Sequence, residues 1–429
     1  MNLAPFVLFG SFAVLLLLRV PVAFSLGASS FIAVVYVGLD PMVVVQKMAD
    51  GMDSFALLAI PFFILAGNLM TEGGIAARMI DLANVLVGFI RGGLAMVNIV
   101  ASMFFGGISG SSVADTSSIG TILIPMMKRK GYDADYSVSV TITSSTQGII
   151  IPPSHNAIIY ALAAGGSVSI ARLFLGGIIP GVMVGLALMV VSCLIAARRN
   201  YPRGEMVPLR EALKILAGSF PGLLTAVIIV GLVIFGVATA TESSAIAVVY
   251  AFLIAFFFYR EIPLGRLSGI LLNSVKTISM VMLLIAAASS FGFVLAYLRI
   301  PALVTEALLH TAKSPFAVLL MINVLLLALG CVMDMAPLIL IVTPVLLPVV
   351  TKIGMDPVHF GIVLLLNLGI GLCTPPVGTT LFVGCAIGGI SIEKTTRALP
   401  PFYLAMVSVL LLVTYVPWFT MFLPGIFMK

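Results

Sequence analysis

Charged residues are scarce in this sequence. Asp, Glu, Lys and Arg make up 9% of the 429 residues, whereas 61% are hydrophobic. A water-soluble domain carries about a quarter charged residues, so this composition cannot build a solvent-facing surface of ordinary polarity. Lipid is the solvent that fits. Apolar stretches close to the roughly 20 residues needed to cross a bilayer recur from residues 6–18 to residues 402–422. No soluble domain of any size fits between them. The first stretch has no basic residue before it and Arg19 after it, the wrong polarity for a signal peptide, and is expected to be a membrane helix.

Reactive side chains are equally sparse. The four cysteines, Cys193, Cys331, Cys373 and Cys385, sit in apolar segments with neither zinc spacing nor paired loop positions, and are read as packing residues. There is no HExxH, no paired aspartate and no Ser-Lys arrangement at membrane depth, which disfavours an intramembrane enzyme. A nucleotide-driven pump is disfavoured too, because there is neither a phosphate loop nor room for an ATPase domain. The single Trp418 and the tyrosines near segment ends are ordinary interface anchors.

The net charge of +6 reports topology rather than a nucleic-acid partner. Its densest cluster, Arg198, Arg199, Arg203, Arg210 and Lys214, lies in the longest polar connection, which is therefore expected in the cytoplasm. Counting crossings outward places Arg91, Lys128, Lys130, Arg260, Arg266, Lys394 and Arg397 inside and the N-terminus outside.

An internal repeat carries the functional information. Pro125 matches Pro348, Gly131 Gly354, Asp133 Asp356, Gly148 Gly371, and Pro152-Pro153 Pro375-Pro376, all at the offset 348 − 125 = 223. Gly165-Gly166 against Gly388-Gly389 extends the match. Coincident leucines would mean little here, but these residues break helices. Each repeat reads as an apolar arm (94–105; 316–329), a small-residue tip, a returning arm (119–127; 339–350) and a helix interrupted at the double proline. Five crossings between the hairpins, in the regions 134–165, 173–197, 221–237, 243–259 and 275–298, would invert the second repeat. Inverted repeats with broken helices characterise secondary transporters, where loose carbonyls and half-helix ends line a polar cavity. The segments 76–88 and 301–312 are expected to lie along the interface as arms, with Arg78 and Asp81 facing water.

The first tip runs from Gly106 to Thr116 and its interruption from Gln147 to Asn156; the second tip spans Gly330 to Pro337 and its interruption Gly371 to Thr380. Hydroxyls and freed carbonyls are hard donors that suit Na⁺ better than Mg²⁺ or Zn²⁺. Asp334 reads as an ion ligand or a helix cap, with the ligand favoured, since a carboxylate at membrane depth needs a cation or donors. Glycines 106, 107 and 110 alternatively serve only close packing. Asp115, whose repeat partner is Leu338, reads as a cap of the returning arm. His155 reads as a packing or substrate-contact residue rather than a proton switch, and His310 and His359 as solvated.

These motifs, together with Ser54 to Gly67, Gly107 to Thr116, Ile151 to Ser154 and Thr374 to Gly378, resemble the large membrane subunit of tripartite ATP-independent periplasmic (TRAP) transporters, over essentially the whole chain. The resemblance implies an all-α polytopic membrane protein of the bacterial inner membrane with inverted repeats, working as an elevator. It implies division into residues 1–90 (scaffold and arm), 91–170 (first transport repeat), 171–312 (scaffold, basic loop and second arm), 313–392 (second transport repeat) and 393–429 (a C-terminal membrane helix). It implies a small membrane subunit, a periplasmic substrate-binding protein, and Na⁺-driven uptake of a carboxylate such as a C4-dicarboxylate or sialic acid. Carried onto this sequence, one sodium falls to Ser109, Ser111, Gly148, Ile151 and Pro152, and the other to Gly330, Asp334, Gly371, Thr374 and Pro375. Substrate falls near Ser154, His155, Asn156, Thr379 and Thr380. A self-sufficient ion-coupled carrier or antiporter of similar architecture is the alternative.

Overall fold

The computed structural model describes residues 3–312 and 314–428; Met1, Asn2, Lys313 and Lys429 lie outside it. Its regular structure is helical throughout the described residues, which suits lipid because a helix satisfies its own backbone hydrogen bonds. The N-terminal part contains α1 (Ala4–Leu17), α2 (Val22–Val37), α3 (Met42–Met52), α4 (Ala59–Glu72) and α5 (Ile75–Val87). The first hairpin is α6 (Gly93–Ser109) and α7 (Ser112–Arg129), and the first interrupted helix is α8 (Ala134–Ser144), α9 (Gln147–Ile150) and α10 (His155–Ala163).

Long helices follow: α11 (Ile170–Arg198), α12 (Leu209–Ile234), α13 (Ala240–Leu253, continued by a π turn to Phe258) and α14 (Leu264–Tyr297). Each of these four segments is long and apolar enough to cross a membrane, as are Phe55–Glu72 and Met335–Lys352. Four of the five crossings expected between the hairpins are therefore present as helices of spanning length, while the region 134–165 is the interrupted α8–α10. After α15 (Ile300–Thr311) comes the second hairpin, α16 (Pro315–Gly330) and α17 (Met335–Lys352), then α18 (Pro357–Leu372) and α19 (Thr379–Gly388). The chain closes with α20 (Ile392–Ala398), α21 (Pro400–Tyr415) and α22 (Trp418–Phe427).

The repeat is preserved to the residue in the returning arms and at the start of the helices that follow them. Helix α7 begins and ends 223 positions before α17 (335 − 112 and 352 − 129), and α8 begins 223 before α18 (357 − 134). The interrupted helices occupy the centre of the molecule. Every residue of α18 from Val358 to Leu372 is buried, as is α8 from Tyr136 to Ser144, so these helices have no polar outer face to show. Large apolar side chains exposed on α1 and α12–α14, including Phe6, Leu17, Val227, Leu253 and Leu272, form the lipid-facing perimeter.

Three expectations are corrected. The C-terminal region is not one membrane helix: α20 and α21 meet at 59°, and α21 stops before Pro417, which lacks the N–H a continuing helix needs. His359 is not solvated; it is buried, with Nε2 2.7 Å from the Val413 carbonyl, because α21 covers this end of α18. Arg78 does not simply face water. Its guanidinium lies 3.7 Å from the Tyr259 ring centroid, donates to the Gly74 carbonyl and pairs with Glu261 at 3.2 Å. Asp81 is exposed as expected, and so is His310.

Each hairpin tip meets its interrupted helix through a pair of glycines. A Cβ on Gly148 would lie 2.5 Å from the Gly106 Cα, and one on Gly371 would lie 2.5 Å from the Gly330 carbonyl carbon. Backbone faces backbone at both places, so neither neighbour can yield. Gly148→Ala and Gly371→Ala should each cost about 1–3 kcal/mol by overpacking, read as a fall in unfolding temperature of the purified protein. Gly369→Ala on the same α18 meets nothing closer than 3.5 Å and should be tolerated.

On the basic-loop side, the Tyr201 hydroxyl donates to Asp133 Oδ2 at 2.7 Å and accepts from the Asp133 N–H at 3.2 Å. Arg199 pairs with Asp133 at 2.8 Å and Asp135 at 3.2 Å, tying α11 to the start of α8. The Tyr201 hydrogen bond first, then Arg199, hold the Asp133 carboxyl below its usual range. A carboxyl depressed in the folded state stabilises it above the unfolded value of about 3.9 and loses that contribution as pH falls through the folded value. Tyr201→Phe should lower the unfolding temperature at pH 7, and the gap from the unsubstituted protein should narrow below about pH 4; an unchanged gap on acidification would refute the coupling.

Candidate functional site

The double prolines create the site by removing donors. In an uninterrupted helix the Gly148 carbonyl would accept from residue 152 and the Ile149 carbonyl from residue 153; both are proline and carry no N–H. The Gly371 and Leu372 carbonyls lose Pro375 and Pro376 in the same way. Local substitutes fill part of the gap. The Ser154 hydroxyl donates to the Ile149 carbonyl, and the Thr374 N–H turns back to the Gly371 carbonyl at 2.9 Å. Both Pro-Pro bonds are cis.

The hairpin tips close over these interruptions. Helix α6 ends at Gly110 with φ +63°, which a glycine adopts without strain, and the backbone there passes the ring of His155. Ser111 then caps α7, its hydroxyl accepting from the Ala114 N–H at 3.3 Å. The Ser109 hydroxyl is half-buried and only 3.4–3.5 Å from the Gly106 and Ser111 carbonyls, contacts too long to commit it. Gly107 faces the Pro152 carbonyl and Ile151. Ser109, Ser111, Gly148, Ile151 and Pro152 thus converge where tip meets interruption.

In the second repeat Asp334 occupies the N-cap position of α17 that Ser111 holds on α7, with no side-chain cap bond. Its Oδ1 instead accepts from the Thr379 hydroxyl at 3.3 Å, across to the start of α19. The Val377 N–H donates to the Cys331 carbonyl at 3.0 Å, and Thr374 Oγ1 donates to the Ile370 carbonyl at 2.8 Å. Gly330, Asp334, Gly371, Thr374 and Pro375 therefore share one corner. Asp334 lies at an exposed edge of that corner rather than deep within it.

The substrate candidates separate into two sets. Ser154, Asn156 and Thr380 are buried and engaged in the frame. Ser154 caps α10 through the Ala157 N–H, and Asn156 donates to the Gly110 carbonyl at 3.2 Å. Thr380 Oγ1 lies 3.0 Å from Ser112 Oγ, which is 2.7 Å from Ser145 Oγ. His155 and Thr379 are half-buried, at opposite interruptions. The groove beside Ile151 and Pro152, walled by Leu175, Ile178, Val230 and Leu423, is apolar and suits hydrocarbon rather than an anion.

Two features escaped the sequence. The Ser112–Ser145–Thr380 contact joins hydroxyls from both repeats that no single motif links. Asp115 is not the cap expected of it: Ser111 has that role, and the Asp115 carboxyl is fully buried with both oxygens unpaired. The signal available for it was the lone acidic residue of the hairpin. Among the described residues no group of three or more His, Cys, Asp or Glu side chains could hold a metal ion, so the tips offer hydroxyls, carbonyls and a single carboxylate.

Residues 9–419 match the family model described as the tripartite ATP-independent periplasmic transporter, DctM component. The chain is 46% identical to the Salmonella typhimurium protein YgiK, with 98% of this chain and 97% of that protein covered. It is 40% identical to the C4-dicarboxylate TRAP transporter large permease protein DctM of Pseudomonas aeruginosa, over 88% of each. It is 38% identical to the sialic acid TRAP transporter large permease protein SiaM of Vibrio cholerae, over 96% of this chain and 97% of that one. The fold is similar to the crystal structure of the Alcanivorax borkumensis YdaH transporter, with TM-score 0.64, 14% identity and 87% of each chain covered. This multi-pass membrane protein belongs to the DctM family, the large permease component of tripartite ATP-independent periplasmic transporters.

Proposed function

We propose that this chain is the membrane subunit of a sodium-coupled secondary transporter of the inner membrane, importing a small organic acid delivered by a periplasmic binding protein. A C4-dicarboxylate, sialic acid or a related carboxylate is the substrate class, as the names of the relatives suggest. A small membrane subunit completes the assembly, in keeping with a tripartite family. The observation that carries the reading is the duplicated closure of a glycine-edged hairpin tip over proline-freed carbonyls.

The donors fit sodium. Ser109 and Ser111 hydroxyls with the Gly148, Ile151 and Pro152 carbonyls would hold one ion. Asp334 and Thr374 with the Gly330, Gly371 and Pro375 carbonyls would hold the other. All are hard oxygens, and one carboxylate among many neutral donors suits a monovalent cation. Substrate would sit between the tips near Ser154, His155, Asn156, Thr379 and Thr380, with His155 and Thr379 the more accessible. Sodium at both tips would offset the Asp334 charge, which lowers the cost of carrying an anion past apolar scaffold. Both hairpins and both interrupted helices would then slide together against α4 and α11–α14, as an elevator.

Uptake of labelled organic acids into proteoliposomes holding this chain and its small subunit should require both an inward Na⁺ gradient and the binding protein. Sodium-independent uptake would reject the coupling, and uptake by this chain alone would replace the reading with a self-sufficient carrier. Asp334→Asn should shift half-maximal sodium activation upward by about tenfold or more, equivalent to about 1.4 kcal/mol of lost binding, with little change in unfolding temperature. Unchanged activation in that variant would remove Asp334 from the site.

A further inference from the structure

The carboxyl of Asp115 is fully buried in α7, and neither oxygen has a hydrogen-bond partner. The residue forms no ion pair with any described Lys, Arg or His; the group facing it is the Ser102 hydroxyl of α6, outside normal hydrogen-bond geometry. An uncompensated carboxylate in such surroundings is strongly unfavourable. Helix α7 does not use it as a cap, since Ser111 has that role. The fold does not need it either. The equivalent place in the second hairpin holds Leu338, which is just as buried (338 − 115 = 223).

The surroundings are rich in oxygen. Ser102 Oγ lies 3.2 Å from Ser144 Oγ of α8, and the Ser144 hydroxyl reaches Asn98 Oδ1 at 3.3 Å. Asn98 Nδ2 donates to Thr141 at 2.7 Å, which turns its amide oxygen toward Ser144. The Thr116 hydroxyl, next to Asp115 in sequence, is buried and unpaired too. Hydroxyls on neighbouring turns, such as Ser117, Thr121 and Thr143, fold back onto carbonyls of their own helix. Ser144 does so too, onto the Thr141 carbonyl at 3.0 Å, a bond that uses its proton and leaves its oxygen lone pairs to accept. An acceptor without donors, beside neutral oxygens from two other helices, is the arrangement a desolvated cation requires.

We propose a third monovalent-cation site inside the first hairpin, holding a sodium-sized ion on the Asp115 carboxylate with Ser102, Ser144 and the Asn98 amide oxygen. It rests on the sodium-coupled reading and adds an ion one helical turn along α7 from the Ser111 of the first tip site, without a counterpart in the second repeat. Its charge balance differs from that of the first tip site, whose donors are all neutral: a buried anion and one cation make a neutral pair that can travel with the hairpin.

The test is thermal unfolding of the full chain with its small subunit in nanodiscs, titrated with NaCl against choline chloride at constant ionic strength. Asp115→Asn should be at least as stable as the unsubstituted protein in choline, since an unpaired charge is gone, and should lose part of the sodium-induced rise in unfolding temperature. Asp334→Asn should lose a different part, and the double variant both. Ser102→Ala keeps the carboxylate and should weaken the apparent sodium affinity by several-fold, so the proposal stays testable if Asp115→Asn misfolds. A full sodium response in Asp115→Asn, or an unaltered affinity in Ser102→Ala where Asp115→Asn does not fold, overturns the site; the carboxyl then holds a proton. Loss confined to Asp334→Asn rejects the third site alone. No sodium response in the unsubstituted protein rejects the sodium-coupled reading along with it.

Discussion

Backbone polar groups far from water must find partners, and the architecture follows from the places where this chain withholds them. Two double prolines remove four amide donors from the middle of buried helices. Loose carbonyls there would be costly in lipid. The hairpin tips enclose them, and the enclosure is close because glycine meets glycine at Gly106–Gly148 and Gly330–Gly371. Close packing at these glycines and shelter for the freed carbonyls are thus one property. A small residue lets the backbone approach, and the approach shelters the carbonyls where tip and interruption meet.

Much of the repeat could be read from the sequence because the residues that punctuate helices also mark the site. Pro125, Gly131, Gly148 and the double prolines located the ends of α7, the start of α8 and both interruptions without any structural guide. Misreadings arose where the answer depends on a remote element. His359 lies near the start of α18 and resembles a solvated end residue; only the packing of α21 covers it. Arg78 sits on a helix with a polar stripe, yet Tyr259 and Glu261 come from far along the chain to hold it. The C-terminal segment carried its own signal in Pro417, which apolar continuity outweighed. The relation of Asp115 to Ser102 and of Ser112 to Thr380 involves three helices at once, and no spacing rule reports that.

The two repeats share geometry without sharing chemistry. Ser111 and Asp334 hold equivalent positions, one a neutral cap and the other a charged group turned toward Thr379. Asp115 and Leu338 reverse the assignment a turn later. Each hairpin therefore carries one carboxylate, near its tip in the second repeat and buried within α7 in the first. Duplication supplied the frame, and divergence placed the charges.

Ser112 belongs to the first hairpin, Ser145 to the first interrupted helix and Thr380 to the second, so their hydroxyls form a seam between the halves. Parting the halves would strand these hydroxyls where there is no water to replace their partners. The seam acts as a rivet that fastens the two repeats to each other. A chimera that exchanges one repeat for that of a relative has to preserve both faces of this seam, or its halves will fit individually and fail to join.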